Sequence, residues 1–359
     1  MKVLLFSKYP RMGASSRLRS LQYLPFLEAQ GVDVTVSNLF DEQYLARLYS
    51  TGGRSVWQTL KCYLSRFRVL LTCGRYDLIW IEKELFPYLP AFFERLLRVL
   101  GKAYVVDYDD AIFHHYDLSK NALIRRLLGR KIDVVMRNAQ CVIAGNRYLA
   151  MRAENANALC VRQVPTVVDH LRYPLRAPSL GQPGVIGWVG SPSTQRYVVA
   201  MGNALAAVCK AHNAKLVLVG ATADVVGQLP DMPVEVVSWS EATEAELIRT
   251  MDIGIMPLQD GPWEKGKCGY KLIQYMACGV PVVASPVGVN VDIVTNSGCG
   301  LLADTTGDWQ SALARLLESP EQRLQMGNAG RAAVEQTYSL QVQAPILAQI
   351  FQQAAGQGR

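Results

Sequence analysis

Short apolar runs closed by turn signals recur along the chain, and between most of them apolar residues return every three or four positions. In the first half the runs are Val3 to Phe6, Val34 to Val36, Leu78 to Ile81, Tyr104 to Val106 and Val142 to Ala144. Continuous rather than alternating apolar runs suit strands buried on both faces, and the helical intervals supply crossovers. The pattern predicts a parallel, doubly wound α/β sheet.

Periodicity then stops. Pro165, Tyr173, Pro174, Pro178, Gly181, Pro183 and Gly184 form a stretch that reads as a linker, with a boundary near residue 180. Strand runs restart at Val185 to Trp188 and continue through Leu216 to Val219, Val234 to Val237, Ile253 to Ile255 and Val282 to Ala284. Helical signals close the chain from Trp309, and Tyr338 to Ser339 marks a break before an amphipathic stretch with Ile346, Leu347, Ile350 and Phe351. The expected organisation is one Rossmann-like domain over 1–180, a second over 181–340 and a C-terminal crossover helix over 341–359. A length of 359 residues suits two cores.

Half of the residues are hydrophobic and 19% are charged, which excludes disordered and coiled-coil classes. Val3 to Phe6 is too short for the core of a signal peptide and no transmembrane run is found, so a cytoplasmic location is expected. Eight cysteines contain no CxxC pair and the four histidines no HExxH, so free buried thiols and no metal site are expected.

Charge separates the halves. Residues 1–180 carry 26 Lys and Arg against 15 Asp and Glu, while residues 181–359 carry 11 against 15. A basic first half suits an anionic surface or substrate, and without a zinc finger or RNP1-like motif nucleic acid is not expected. Over residues 54–73, Trp57, Leu60, Leu64, Phe67 and Leu71 recur at helical spacing beside Lys61 and Arg68, and a cationic stretch LIRRLLGRK follows at 123–131. Two readings stand open: a core-facing helix with snorkelling cations, or a helix that docks on the anionic inner face of a membrane.

A phosphate-bearing ligand fits two such sheets, whose carboxyl ends are the usual binding place. Neither GxGxxG after a strand nor a Walker lysine is present. The informative segment is Met251 to Asn290, MDIGIMPLQDGPWEKGKCGYKLIQYMACGVPVVASPVGVN, which reads as strand, cationic glycine loop, helix, turn, strand and a second glycine loop at Gly288. It resembles the donor-site signature of the family 4 glycosyltransferases. GWVGSPST and LVLVGA extend the likeness through the second domain, and VVDYDDAIF, AGNRYLA and VPTVVD resemble a bacterial branch of that family.

The resemblance implies the GT-B fold, two Rossmann-like domains facing a central cleft with the C-terminal helix packing back toward the first. It also implies a retaining, metal-independent glycosyltransferase in cell-surface polysaccharide synthesis. The donor would be a UDP- or GDP-linked sugar bound by the second domain, and the acceptor a glycan or lipid-linked hydroxyl bound by the first. No cofactor is required. A nucleotide-sugar 2-epimerase and a non-catalytic nucleotide-sugar-binding protein are the alternatives.

Breaking a sugar–phosphate bond leaves a diphosphate that fixed cations and backbone N–H groups stabilise. Lys267 and Lys271 are the candidate cations, with Lys271 just inside a helix where a family lysine approaches the phosphate. Gly190, Ser191 and Thr194 lead into a helix and either present donors to the diphosphate or cap the helix without a ligand. Two departures from the family pattern occur. Its pair of glutamates falls on Gly266 and Gln274, the latter still able to hydrogen-bond a ribose. Its arginine and lysine near the first glycine turn fall on Ser191 and Arg196. In the first domain Asp109 and Asp110 end a strand and either orient acceptor hydroxyls or serve as loop caps. Gly13, Ser15, Ser16 and Arg17 follow the first strand and join Glu84 and His114 as acceptor-side candidates.

Overall fold

A computed structural model of the chain describes residues 1–51, 56–176 and 184–356. Two compact units divide them. The first holds residues 1–166, 266–268 and the C-terminal segment from Gln341, and the second holds Val167–Lys265 and Gly269–Leu340.

In the first unit six parallel strands, β1 (Lys2–Ser7), β2 (Asp33–Asn38), β3 (Leu78–Glu82), β4 (Tyr104–Tyr108), β5 (Cys141–Ala144) and β6 (Val161–Gln163), lie in the order β2-β1-β3-β4-β5-β6. Every residue of β3, β4 and β5 is buried, as continuous apolar runs demand. Strand β6 went unread because it is three residues long and largely exposed. The order reverses beside β1, so the loops leaving β1 and β3 diverge at the carboxyl edge.

The second unit repeats the plan with β7 (Val185–Val189), β8 (Lys215–Val219), β9 (Val234–Val237), β10 (Ile253–Met256), β11 (Val282–Ala284) and β12 (Gly300–Leu302). Its order is β12-β11-β10-β7-β8-β9, and the loops that diverge leave β7 and β10. One core face gathers Leu272, Tyr275 and Met276, and the other Trp188, Leu216 and Trp309.

The boundary expected near residue 180 lies outside the described residues. Residues 167–176 group with the second unit because their polar groups are answered there. Arg331 donates to the carbonyl of Tyr173 at 2.7 Å, the Tyr173 hydroxyl donates to Glu244 at 2.6 Å, and Arg176 pairs with Asp252 at 2.6 Å. The helix Leu340–Gly356 begins in the second unit and continues into the first, where the Phe351 ring meets the buried Trp80 ring edge-on at 4.9 Å.

Cysteine pairing corrects the expectation of free thiols throughout. Cys141 and Cys160 form a disulfide across β5 and the entry to β6, with Cα atoms 4.5 Å apart, and the other six cysteines are free and buried. Their separation of 19 residues carries no motif.

Phe351→Ala should destabilise the first unit by about 3 to 5 kcal/mol, because it opens a cavity against Trp80. Hydrogen-exchange protection of β3 in the full chain should fall accordingly. Unchanged protection would show that the helix adds nothing to this core.

Candidate functional site

At the carboxyl edge of the first sheet, the loop after β1 and the helix Ala14–Arg19 supply hydroxyls to carboxylates. Gly13 is fixed by a close approach, since a Cβ there would collide with the Tyr9 side chain. Ser16 donates to Glu82 at 2.7 Å, and the Lys8 amide donates to the same oxygen at 2.9 Å. Ser15 donates to Asp109 at 2.6 Å and accepts from the Lys83 ammonium at 2.8 Å. Lys83 also pairs with Asp109 at 2.8 Å and approaches Asp110 at 3.9 Å. Arg19 and Asp107, both buried, pair at 2.7 Å.

These contacts set the charge states. Burial pushes Asp109 up, but the Lys83 ammonium and the Ser15 hydroxyl outweigh it and hold the carboxyl at about 2. Burial and the neighbouring Asp109 push Asp110 up to about 6, against the pull of Lys83, Lys267 and Lys8. Burial raises Asp107 to about 6 even with Arg19 beside it.

Other acceptor-side candidates are committed to the interior. Glu84 accepts from the Tyr116 hydroxyl on both oxygens, at 2.9 and 2.8 Å, and from Lys131, so it anchors its loop and has no oxygen left over. His114 uses one ring nitrogen on Asp117 and the other on the Tyr148 hydroxyl, each at 2.8 Å, which leaves no free nitrogen for a base. Arg17 is buried and donates to the Arg11 carbonyl. Lys83, Arg19 and Arg66 were missed. Only the charges crowded behind an apolar strand in WIEKE hinted at the first.

The segment Gly266–Cys268 packs with this unit. The Asn146 amide donates to the carbonyls of Gly266 at 3.0 Å and Lys267 at 2.9 Å, and the Cys268 thiol to that of Asp109 at 3.1 Å. A Cβ at Gly266 would meet Ala111. Lys267 thereby places its charge in the field of Asp110.

In the second unit, Gly190 follows β7, where a Cβ would strike the Trp188 ring. The Thr194 hydroxyl donates to the Ser191 carbonyl at 3.0 Å and accepts from the Ser191 amide at 3.3 Å, a local turn before the helix Arg196–Ala200. The exposed Arg196 guanidinium bonds the Tyr197 hydroxyl at 2.9 Å and lies 3.8 Å from Glu264, whose carboxylate accepts from Tyr197. Gly269 at φ 66° starts the helix Tyr270–Ala277, and in its first turn Lys271 stands 5.2 Å over the buried Trp188 ring. Gly288 at φ 56° passes within contact of the Lys265 carbonyl, so a Cβ would sit 2.8 Å from that oxygen. Gln274 is buried, and its amide donates inward to Tyr173 at 3.4 Å, beside the bond that Tyr173 makes to Glu244.

The stripe beside the helix Val56–Leu70 does not face the core. Trp57 is 66% exposed and Leu71 70%, with Leu60, Leu64 and Phe67 also outward. The face turned inward carries Cys62, Arg66 and Leu70. Arg66, held down to about 9 by burial, donates to the carbonyls of Ser7, Ser37 and Leu85. The neighbouring helix Phe92–Val99 packs Phe93 on Phe67 at 5.8 Å and exposes Phe92, Leu96 and Val99. Lys61, Arg68, Arg95 and Arg98 are exposed on the same two helices.

Comparison with known proteins adds sequence and fold likeness. Residues 183–319 match the family model described as glycosyl transferases group 1. A D-inositol 3-phosphate glycosyltransferase of Gordonia bronchialis is 27% identical over 261 residues, 68% of this chain and 52% of the relative. Another of that description, from Pseudarthrobacter chlorophenolicus, is 32% identical over 118 residues, 32% of this chain and 25% of the relative. The matched stretch thus spans about half the length of the first relative and a quarter of the second. Among solved structures, sucrose-phosphate synthase from Thermosynechococcus elongatus superposes with a TM-score of 0.75 at 17% identity, covering 98% of both chains. HepE from Anabaena, in complex with UDP and glucose, gives 0.71 at 16%, covering 98% of this chain and 100% of its own. At such identities the likeness is one of fold.

Asp110 yields a pH-dependent stability difference. Its folded-state carboxyl is raised, so the stability it contributes is full below the ordinary value of 3.8 and is lost as pH rises through about 6. Asp110→Asn removes that loss. The thermal midpoint of the variant relative to the native protein should therefore climb between about pH 4 and about pH 7, modestly, because 31% of the side chain is exposed. A flat difference across that range would place the Asp110 carboxyl at its ordinary value.

Proposed function

We propose, from the premise that this chain is a group 1 glycosyltransferase with the GT-B fold, that it moves a sugar from a UDP- or GDP-linked donor to a hydroxyl of a glycan or lipid-linked acceptor, with retention at the anomeric carbon. The observation that carries the reading is Lys271. A lysine in the first turn of a helix is electrostatically disfavoured, and a bound anion would offset that cost. This one stands over Trp188 at the edge where β7 and β10 diverge. UDP in complex with the structurally similar HepE supports a uridine nucleotide as the first donor to try.

In this reading the second unit holds the donor. As the bond from the anomeric carbon to the diphosphate oxygen breaks, negative charge gathers on the phosphate, and Lys271 and Arg196 receive it. These protein cations supply what a divalent ion would, which is the basis for reading the transfer as metal-independent. The acceptor hydroxyl attacks from the face the phosphate leaves, forming the new bond to the anomeric carbon and passing its proton to the departing phosphate oxygen. Gly266 and Gln274 occupy the family's glutamate positions, so no carboxylate nucleophile is invoked there. The first unit takes the acceptor at the exits of β1, β3 and β4, where Ser15, Asp109 and Asp110 meet.

The exposed stripe supports peripheral attachment to the inner face of the plasma membrane, as work on surface polysaccharide with lipid-linked acceptors needs. Apolar side chains on two touching helices with Lys61, Arg68, Arg95 and Arg98 beside them suit an anionic bilayer. Among the described residues no helix is long and apolar enough to cross a membrane.

Lys271→Ala should lower kcat/KM for nucleotide release from a panel of UDP- and GDP-sugars by about 30- to 1,000-fold, as expected for losing a charge partner of the diphosphate. Lys265→Ala, whose lysine pairs with Asp260, should change it little. Near-native kcat/KM in folded Lys271→Ala would end the phosphate assignment.

The full chain should co-sediment with vesicles containing about one-third phosphatidylglycerol and less with pure phosphatidylcholine, and added salt should weaken the difference. Leu64→Ser combined with Phe67→Ser should reduce pelleting. Equal pelleting with both vesicle types would remove the charge argument, and none with either would remove the membrane.

A further inference from the structure

The loop after β3 is held in an unusual way at the place where the first sheet's strand order reverses. Lys83, the residue that leaves the strand, adopts φ 68°, a left-handed conformation that is disfavoured for a residue with a Cβ. Five residues on, Tyr88 does the same at φ 60°. Between them the loop is tied down on every side. The Lys83 amide donates to the Asp107 carbonyl at 3.0 Å, and Glu84 is gripped by Tyr116 and Lys131. The Leu85 amide donates to Glu94 at 2.9 Å, and the Leu85 carbonyl accepts from Arg66 at 3.2 Å. Strain of this kind persists only where surrounding contacts over-determine it.

What the left-handed turn achieves is the direction of one side chain. Lys83 reaches both the loop after β1, at Ser15, and the exit of β4, at Asp109 and Asp110. Asp109 is thereby held at both oxygens, one in an ion pair with Lys83 and the other accepting from Ser15. Asp110 is left different. Its nearest cation is the same ammonium at 3.9 Å, beyond hydrogen-bond range, and its side chain is 31% exposed while Lys83 is buried.

We propose that Lys83 is the positioning residue of the acceptor subsite: its ammonium locks Asp109 against Ser15 and leaves Asp110 as the carboxylate that accepts the hydrogen bond of the acceptor hydroxyl. The inference rests on the reading of this edge as the acceptor side. Lys83 does not touch the reacting atoms. It acts through Asp110, whose charge is set by Asp109 on one side and by Lys83, Lys267 and Lys8 on the other, with Glu82 and Asp109 answering Lys83 itself. Removing the ammonium subtracts a favourable charge, so Asp110 must hold its proton to higher pH.

Carbon-13 NMR of carboxyl-labelled aspartate in the full chain tests this without any ligand, the Asp110 signal being assigned by its loss in Asp110→Asn. Lys83→Gly removes the ammonium and accepts the left-handed turn, and Lys83→Asn, which also tolerates it, substitutes if the glycine variant does not fold. The expected result is an Asp110 midpoint raised by about 1 pH unit, restored by Lys83→Arg. A midpoint that stays at the native value would overturn the proposal. In parallel, hydrolysis of UDP-glucose and of GDP-mannose, with water in place of the acceptor, is followed against pH. The acid limb of kcat should move up with the NMR midpoint while the KM for the donor stays constant. A shifted midpoint beside an unmoved acid limb in a working enzyme would also overturn it. If neither donor is hydrolysed by the native protein, glycosyl transfer from these donors is what falls, and the titration still decides whether Lys83 governs Asp110.

Discussion

Burying charge at the carboxyl edge of a parallel sheet is expensive unless each charge meets its opposite, and the first unit meets that constraint three times within two strand exits. Arg19 is matched by Asp107, Lys83 by Asp109 and Lys131 by Glu84. Each pair joins elements distant in sequence, so the loops after β1, β3 and β4 cannot relax independently. The Arg66 guanidinium adds a fourth tie by filling carbonyls at the ends of β1 and β2 and in the loop after β3. A helix that turns apolar side chains outward is thus fastened to the edge where Ser15, Asp109 and Asp110 meet. Such pairs add little net stability over apolar packing, but losing one partner leaves a bare buried charge, and that penalty holds the loops in place.

The second unit solves a different problem. Its glycines at 190, 269 and 288 sit where main chain passes close to another group or turns left-handed, which brings strand exits and helix starts together. Arg196 is steadied by Tyr197 and Glu264, and Lys271 stands over an aromatic face.

Much of this was legible in the sequence because parallel strands buried on both faces read as unbroken apolar runs. LIWIE and VVA announced themselves, whereas the three-residue β6 and β12, half-exposed at sheet edges, carry no such signal. Periodicity at 57–71 found an apolar face but could not say what covers it, since burial depends on neighbours far away in sequence. Gln274 shows the same limit: its position matched a motif, yet a neutral amide can be buried against Tyr173 where a carboxylate would resist. Lys83 escaped because a left-handed backbone at a lysine leaves no mark in composition or spacing.

The discontinuity of the first unit bears on how the protein is made. Its core includes Phe351 against Trp80, yet the chain between them builds the whole second unit. During synthesis the first unit's strands emerge before the second unit, and the helix that completes their core emerges only after it. The nascent first half therefore carries an uncovered aromatic core face as well as its outward apolar helices until that helix emerges, the interval in which chaperone capture competes with aggregation.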